Sequence, residues 1–187
     1  DGAEALVASA AVVVMQLEVP IETVRHAIAL CRRLGVATIL DPAPAPPDGL
    51  PAEFYDVDIL TPNEAEAAAL AGIKGEEDVP GRHAEAIAQR LLDRGCQSVV
   101  LKLGATGSLL LQRERRAIHV APFTVKPVDT TAAGDAFTGA LAVGLSEGMP
   151  LIAAMRFANA AGALCCTKLG AQPALPERDD VDNLRLR

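Results

Sequence analysis

Apolar residues fill the chain without a break from Val12 to Met15. A short run of that kind predicts a buried strand over residues 12–16. From Ile21 to Leu34 the spacing changes to an apolar residue near every third or fourth position, which predicts a helix with one buried face and Gly35 as its stop. The alternation then repeats. "VATIL" (36–40) reads as a strand, "DPAPAPPDGLP" as a connecting loop, "DIL" (58–60) as a short strand, and "TPNEAEAAALAGI" as a strand-to-helix turn with its helix. A second helix is expected over about 82–94, followed by strands in "SVVLKLG" and "SLLLQ" on either side of the tight turn Gly104-Ala105-Thr106-Gly107. After a strand in "AIHVAP" come a helix over 136–147 and a last long helix over about 150–167. Apolar strands alternating with amphipathic helices predict an α/β fold: a Rossmann-like, mostly parallel sheet with helices on both faces. Ligands of such sheets sit at the carboxyl ends of the strands. No repeat or linker divides the sequence, so residues 1–187 are read as one domain or most of one.

Composition narrows the partners. Half of the 187 residues are hydrophobic, enough for one sizeable core. A formal net charge of −7 without a lysine- or arginine-rich stripe argues against a nucleic-acid surface, which needs clustered cations. The four cysteines, Cys31, Cys96, Cys165 and Cys166, lack C-x-x-C spacing and read as reduced thiols. The longest apolar run, residues 6–15, is too short for a membrane span and has no basic stretch before it, so a cytoplasmic protein is expected. The first residues, with no initiator methionine, read like the middle of a longer protein.

Candidate chemistry concentrates in "VDTTAAGDAFTGAL" (128–141). Two acids, Asp129 and Asp135, flank hydroxyls and very small residues, and a helix-like segment follows. Ala132, Ala133 and Gly134 leave main-chain N–H groups uncovered at a helix start, a ready site for an anion. An aspartate there would compete with a phosphate unless it faced the other reactant, so Asp135 points to chemistry. In "TPNEAE", Asn63 and Glu66 would face a metal–phosphate group or simply cap a helix. "KLGATGS" would cradle a nucleotide or form a plain turn between strands. No P-loop and no protein-kinase motif set is present. His26, His83 and His119 are scattered and, with the unclustered cysteines, suggest no zinc site.

Taken in order, "QLEVP", "DPAPA", "TPNEAEA", "KLGATGS", "DTTAAGDAFTGAL", "FANAAGA" and "GAQPALP" resemble the ribokinase-like sugar kinases, also called the phosphofructokinase B-type family, over essentially the whole chain. The double alanine of "DTTAAGD" favours the ribose branch. The resemblance implies ATP-dependent phosphorylation of a sugar hydroxyl, with D-ribose at its terminal hydroxyl as the expected substrate. Another small sugar or a nucleoside, or a nucleotide-binding piece without turnover, is the alternative. It makes Asp135 the base, Ala132, Ala133 and Gly134 the anion hole, and Asn63 and Glu66 the organisers of Mg2+ and phosphate through water. Lys102, Gly104, Gly107 and Asn159 fall where the nucleotide binds, and Glu18 at a sugar contact. Asp129 and the Thr131 carbonyl, with carbonyls near Cys165, Lys168 and Gly170, match ligands of a monovalent cation, usually K+. Family members also carry, ahead of these motifs, a sugar-gripping half with a small β-sheet lid that commonly forms the dimer. That half is missing here, so the chain looks like the nucleotide-binding and catalytic C-terminal part of a protein expected to be a homodimer.

Overall fold

The structure is a computed structural model, and it describes residues 2–73 and 83–186. Six strands, β1 (Val12–Met15), β2 (Ala37–Leu40), β3 (Ile59–Leu60), β4 (Ser98–Lys102), β5 (Ser108–Gln112) and β6 (Ile118–Val120), are hydrogen-bonded in chain order in one sheet. The pairings β1–β2, β2–β3 and β3–β4 are parallel, with Val12 opposite Ala37, Ile39 opposite Ile59 and Leu60 opposite Val99. Around the strands, in chain order, lie α1 (Glu4–Ser9), α2 (Ile21–Leu34), α3 (Glu64–Leu70), α4 (Ala84–Leu92), α5 (Ala133–Ser146), α6 (Leu151–Cys165) and α7 (Arg178–Arg185). The mostly parallel α/β sheet is therefore the one the periodicity predicts. Among the described residues no helix is long and apolar enough to cross a membrane.

These residues form two compact units, Asp1–Leu103 with Leu109–Ile118, and Gly104–Ser108 with His119–Arg187. In the first, α2 buries Val24, Ile28 and Cys31 at helical spacing, and Gly35 ends it in the left-handed conformation, its N–H donating to the Arg32 and Cys31 carbonyls. Four successive residues of β4, Ser98 to Leu101, are buried, so both faces of that strand are covered. A short 3₁₀ turn at Ala52–Tyr55, unforeseen from the sequence, inserts the fully buried Phe54 and Tyr55 into the same core as Leu40, Leu60, Leu70, Ile87 and Leu91. Each buried side chain of that size contributes about 2–3 kcal/mol of transfer free energy, which explains why the proline loop is anchored there.

In the second unit α6 is buried nearly all round, from Ala154 and Met155 to Cys165. Its Phe157 joins Ala160, Ala161 and Val181 of α7 in one apolar cluster. The Arg178 and Arg185 guanidinium groups lie 4.9 and 5.3 Å from the centre of the Phe157 ring. One boundary and one helix differ from expectation here. Helix α5 begins at Ala133 rather than 136, because the Ala132 carbonyl already accepts the Ala136 N–H at 2.9 Å. Helix α7 was not foreseen, since Val181 is its one buried residue. Helix α1 was also missed; it buries no residue at all. The helix expected over 82–94 is seen as Ala84–Leu92, and its expected first residue, Arg82, lies outside the described residues.

Candidate active site

In the first unit the carboxyl ends of the strands gather several of the polar residues singled out above. The turn after β3 leads into α3 through a full capping box. The Asn63 side-chain oxygen accepts the Glu66 N–H (2.8 Å), Glu66 Oε2 accepts the Asn63 N–H (2.8 Å), and Asn63 Nδ2 donates to Glu66 Oε1 (2.7 Å). The capping reading of "TPNEAE" is the one this geometry shows, with an amide and a carboxylate standing together at the positive end of the helix. Asn63 also forms an isolated parallel bridge with Lys102, whose N–H donates to the Pro62 carbonyl at 2.9 Å.

The Lys102 ammonium turns to Asp41, 2.7 Å from its Oδ2, and both side chains are largely buried. Asp41 directly follows β2, and its N–H donates to the Met15 carbonyl at 2.8 Å. Sequence reasoning noticed "DPAPA" as a motif and assigned Asp41 nothing; an acid in the first position after a buried strand was the available signal. Glu18 lies just beyond β1, exposed, with its N–H donating to Gln16 Oε1 and its Oε2 accepting from Gln16 Nε2 at 3.4 Å.

In the second unit the Gly104–Thr106 turn is closed by the Gly107 N–H donating to the Gly104 carbonyl at 3.1 Å. Gly107 has φ +96, and a Cβ there would collide with the Val120 carbonyl oxygen and stand 2.9 Å from the Pro122 nitrogen. Only glycine fits. Asn159, buried on α6, donates through Nδ2 to the Val120 and Ala121 carbonyls, 3.1 Å each. Its amide thus ties α6 to the chain leaving β6.

The loop before α5 is stitched from both sides. Asp129 Oδ1 accepts the Thr131 N–H (2.9 Å) and hydroxyl (2.7 Å), while Oδ2 accepts the Gly170 N–H (2.9 Å). These donors, that of Gly170 foremost, hold the Asp129 carboxyl well below the ordinary value of 3.8, at about 2. The Val128 and Asp129 N–H groups donate to the Cys166 carbonyl. The Cys165 thiol donates to the Thr131 carbonyl at 3.5 Å, and burial pushes that thiol up, with Cys166, Asp135 and Asp129 adding to the shift. The Lys168 N–H donates to the Cys165 carbonyl at 3.3 Å. The Asp129 carboxylate, the Thr131 and Cys165 carbonyls and the N–H groups of Lys168 and Gly170 therefore belong to a single tightly tied turn region.

Helix α5 opens differently from α3. Ala132 is its N-cap in the left-handed conformation (φ 59), and no side chain caps it. The Ala133 N–H is taken by the Thr130 carbonyl (3.2 Å), which leaves the first-turn N–H groups of Gly134 and Asp135 as the donors an anion would meet. Asp135 itself is exposed. Gly162 of α6 permits this turn to sit close: a Cβ there would be 3.2 Å from the Ala133 carbonyl oxygen.

Comparison with known proteins shows the family. The family pattern described as pfkB family carbohydrate kinase matches residues 2–178. A ribokinase of Haemophilus influenzae is 36% identical over 179 residues, which cover 95% of this chain and 56% of that protein. A ribokinase of Staphylococcus aureus is 36% identical over 176 residues, covering 92% of this chain and 55% of the relative. Among solved structures, a ribokinase of Arabidopsis thaliana complexed with ribose and ATP superposes with a TM-score of 0.88 at 34% identity, covering 99% of this chain and 59% of that one. The chain thus spans about half the length of the curated relatives it matches.

Proposed function

The chain belongs to the pfkB family of carbohydrate kinases, and from that premise we propose that the intact protein transfers the γ-phosphoryl group of ATP to the terminal hydroxyl of D-ribose. The observation that carries this reading is the first turn of α5, where an exposed aspartate stands among uncapped N–H groups. Asp135 accepts the proton of the sugar hydroxyl as its oxygen bonds to the γ-phosphorus and the bond to the β-phosphate oxygen breaks. A weak base suffices, because the transition state is loose and positioning with charge stabilisation supplies most of the rate. The Gly134 and Asp135 N–H groups, at the positive end of α5, face the charge that develops on the phosphoryl oxygens. Gly107 keeps the Gly104–Thr106 turn open to a nucleotide's approach, and Glu18 contacts the sugar.

Two ions fit the residues present. One carboxylate of Asp129 with the carbonyls around Thr131, Cys165, Lys168 and Gly170 is the all-oxygen, mostly neutral donor set that suits K+. Among the described residues no three His, Cys, Asp or Glu side chains cluster, so Mg2+ would meet Asn63 and Glu66 mainly through water and phosphate oxygens, its usual mode beside a nucleotide. When bound, the cations neutralise phosphate charge and steady the turn before α5. All four cysteines are free thiols, which supports a cytoplasmic setting.

The test is a coupled assay of ADP release by the intact purified protein with ribose and a panel of other sugars and nucleosides. Turnover on the order of 1–100 per second with ribose preferred is the expected outcome. ADP release no faster with ribose than without any sugar would overturn the reading.

A further inference from the structure

Asn159 lies within α6, 8% exposed, and its side-chain nitrogen donates to two successive carbonyls, those of Val120 and Ala121, at 3.1 Å each. Both hydrogens of the amide are therefore committed to one short segment, the strap of chain that leaves β6. Gly107 packs on the same strap. An added Cβ there would collide with the Val120 carbonyl oxygen and stand 2.9 Å from the Pro122 nitrogen and 3.0 Å from the Ala121 carbonyl carbon. The Val120 carbonyl is thus at once an acceptor for Asn159 and the group on which the Gly107 backbone rests. A little further along, Phe123 packs against the apolar cluster of Phe157, Ala160 and Ala161, and the Arg156 guanidinium lies 5.7 Å from the centre of its ring. Helix α6 so holds the strap at two places, by an amide at residues 120–121 and by packing at residue 123. All of these residues belong to the second unit.

We propose that Asn159 is a positioning residue: by holding the strap on α6 it fixes the backbone under Gly107, and so sets the place at which the Gly104–Gly107 turn meets a nucleotide. The proposal rests on the nucleotide-binding part of the reading above. Gly107 closes that turn with its N–H on the Gly104 carbonyl at 3.1 Å, and it has no side chain to keep it off the strap. A shift of the strap is therefore passed to the turn, and a misplacement of about 1 Å is strongly felt where a ligand is positioned. An asparagine that acted on the nucleotide directly, through its remaining oxygen, would behave in another way. Its loss would weaken binding by the same factor whatever stood at position 107.

The experiment is a double-mutant cycle in the intact protein with Asn159→Ala, Gly107→Ala and the double variant. ADP affinity is read by calorimetry with Mg2+, and the ATP KM and kcat by the coupled assay. Each single variant weakens ADP binding and raises the ATP KM by about tenfold, while kcat at saturating ATP stays within about threefold. A variant that is merely less stable loses active fraction, which lowers the apparent kcat and leaves KM in place. In the double variant the released strap yields to the new Cβ at position 107, so ADP affinity lies within about threefold of the weaker single variant. A double variant whose loss comes within about threefold of the product of the two single losses overturns the proposal, as does either single variant that binds ADP within about twofold of the parent. If Gly107→Ala does not fold, as judged by its circular dichroism melt, amide exchange of the ligand-free protein decides. Asn159→Ala then speeds exchange of the Gly107 N–H by about tenfold or more while the amides of α2 keep their parental rates; an unchanged rate at Gly107 overturns the proposal. If Asn159→Ala does not fold, Asn159→Ser takes its place, since its hydroxyl ends one bond short of the amide nitrogen. A parent that binds ADP but leaves ribose untouched removes the ribose assignment only, and the cycle still decides. A parent that binds no nucleotide removes both.

Discussion

The two turns that begin α3 and α5 solve the same problem in opposite ways. Each helix starts with N–H groups that have no carbonyl one turn back. At α3 the sequence supplies its own acceptors: Asn63 and Glu66 bond reciprocally, and the N-cap has ordinary extended dihedrals, φ −82 and ψ 179. At α5 no side chain caps the turn, and the N-cap is an alanine in the left-handed region. That choice forgoes about 1 kcal/mol of capping energy and adds about 1–2 kcal/mol of backbone strain. A local rule broken twice at one turn, beside an exposed acid, is the pattern that strained binding sites show, and it is why the proposed reading centres on this turn. The closed turn shows what the open one lacks.

The sharpest way to break the comparison is at Asp135. Substitution by asparagine keeps the size and polarity of the side chain and removes its basicity. In the intact protein kcat should fall by about two orders of magnitude or more, the usual range for a general base, while the ATP KM stays within about twofold. A variant keeping half of the parental kcat would show that the open turn of α5 binds without taking part in proton transfer.

Asp129 ties the same turn from behind, and its charge can be read by pH. Its carboxyl is held at about 2 against an ordinary value of 3.8. A group depressed in this way stabilises the fold fully above its unfolded value and loses the contribution as pH falls through the folded value. Urea melts of the parent and of Asp129→Asn should therefore differ by a constant amount above about pH 5 and converge between about pH 4 and 2. A difference independent of pH would mean that shape, not charge, holds Gly170 and Thr131. In the intact protein Asp129→Ala should also flatten the rise of activity with K+; identical K+ titrations would remove the carboxylate from that site.

Most of the sheet was legible in the sequence because its signals are local. The spacing from Ile21 to Leu34 and the stop at Gly35 coincide with α2 and its left-handed cap, and the apolar runs at β1, β4 and β5 lie where the strands form. What escaped depends on tertiary partners. Helix α7 buries only Val181 and is held by Arg178 to Glu147 at 2.5 Å, Arg178 to Asp182 at 2.6 Å and the two arginines on Phe157, contacts with no period to read. The available clues were the i, i+4 pair Arg178 and Asp182, the first-turn acids Asp179 and Asp180 with Arg185 in the last turn, and the i, i+3 spacing of Val181 and Leu184. At the candidate site, residue types singled out the turns, while their detail came from geometry. No sequence pattern says that the Ala133 N–H is spent on Thr130, or that Lys102 faces Asp41.

The closed turn can be opened. Asn63→Ala removes the side-chain acceptor of the Glu66 N–H and the amide that meets Glu66 Oε1. A loss of about 1 kcal/mol in unfolding free energy, within the 0.5–2 kcal/mol usual for such caps, is expected from denaturant melts. A loss under about 0.3 kcal/mol would show that water replaces the amide without penalty, and that α3 and α5 differ less than their geometry indicates.

The open turn can be relaxed, with the smallest effect of the four. Ala132 has φ 59, where a Cβ crowds the following carbonyl and glycine does not. Ala132→Gly removes about 1–2 kcal/mol of that strain. It also restores to the unfolded chain about 0.4–1 kcal/mol of conformational freedom that folding must then remove. The two terms oppose each other, and their difference leaves a net gain between about zero and 1.5 kcal/mol, visible as an unchanged or slightly raised melting temperature. Because the N–H groups of Gly134 and Asp135 keep their places, the ATP KM of the intact protein should not move by more than about twofold. A clear destabilisation would mean that the Ala132 methyl, which packs against the buried cluster of Ala136, Cys165 and Ala174, contributes more than its strained backbone costs. The left-handed start of α5 would then be held by packing rather than merely tolerated for the sake of a ligand.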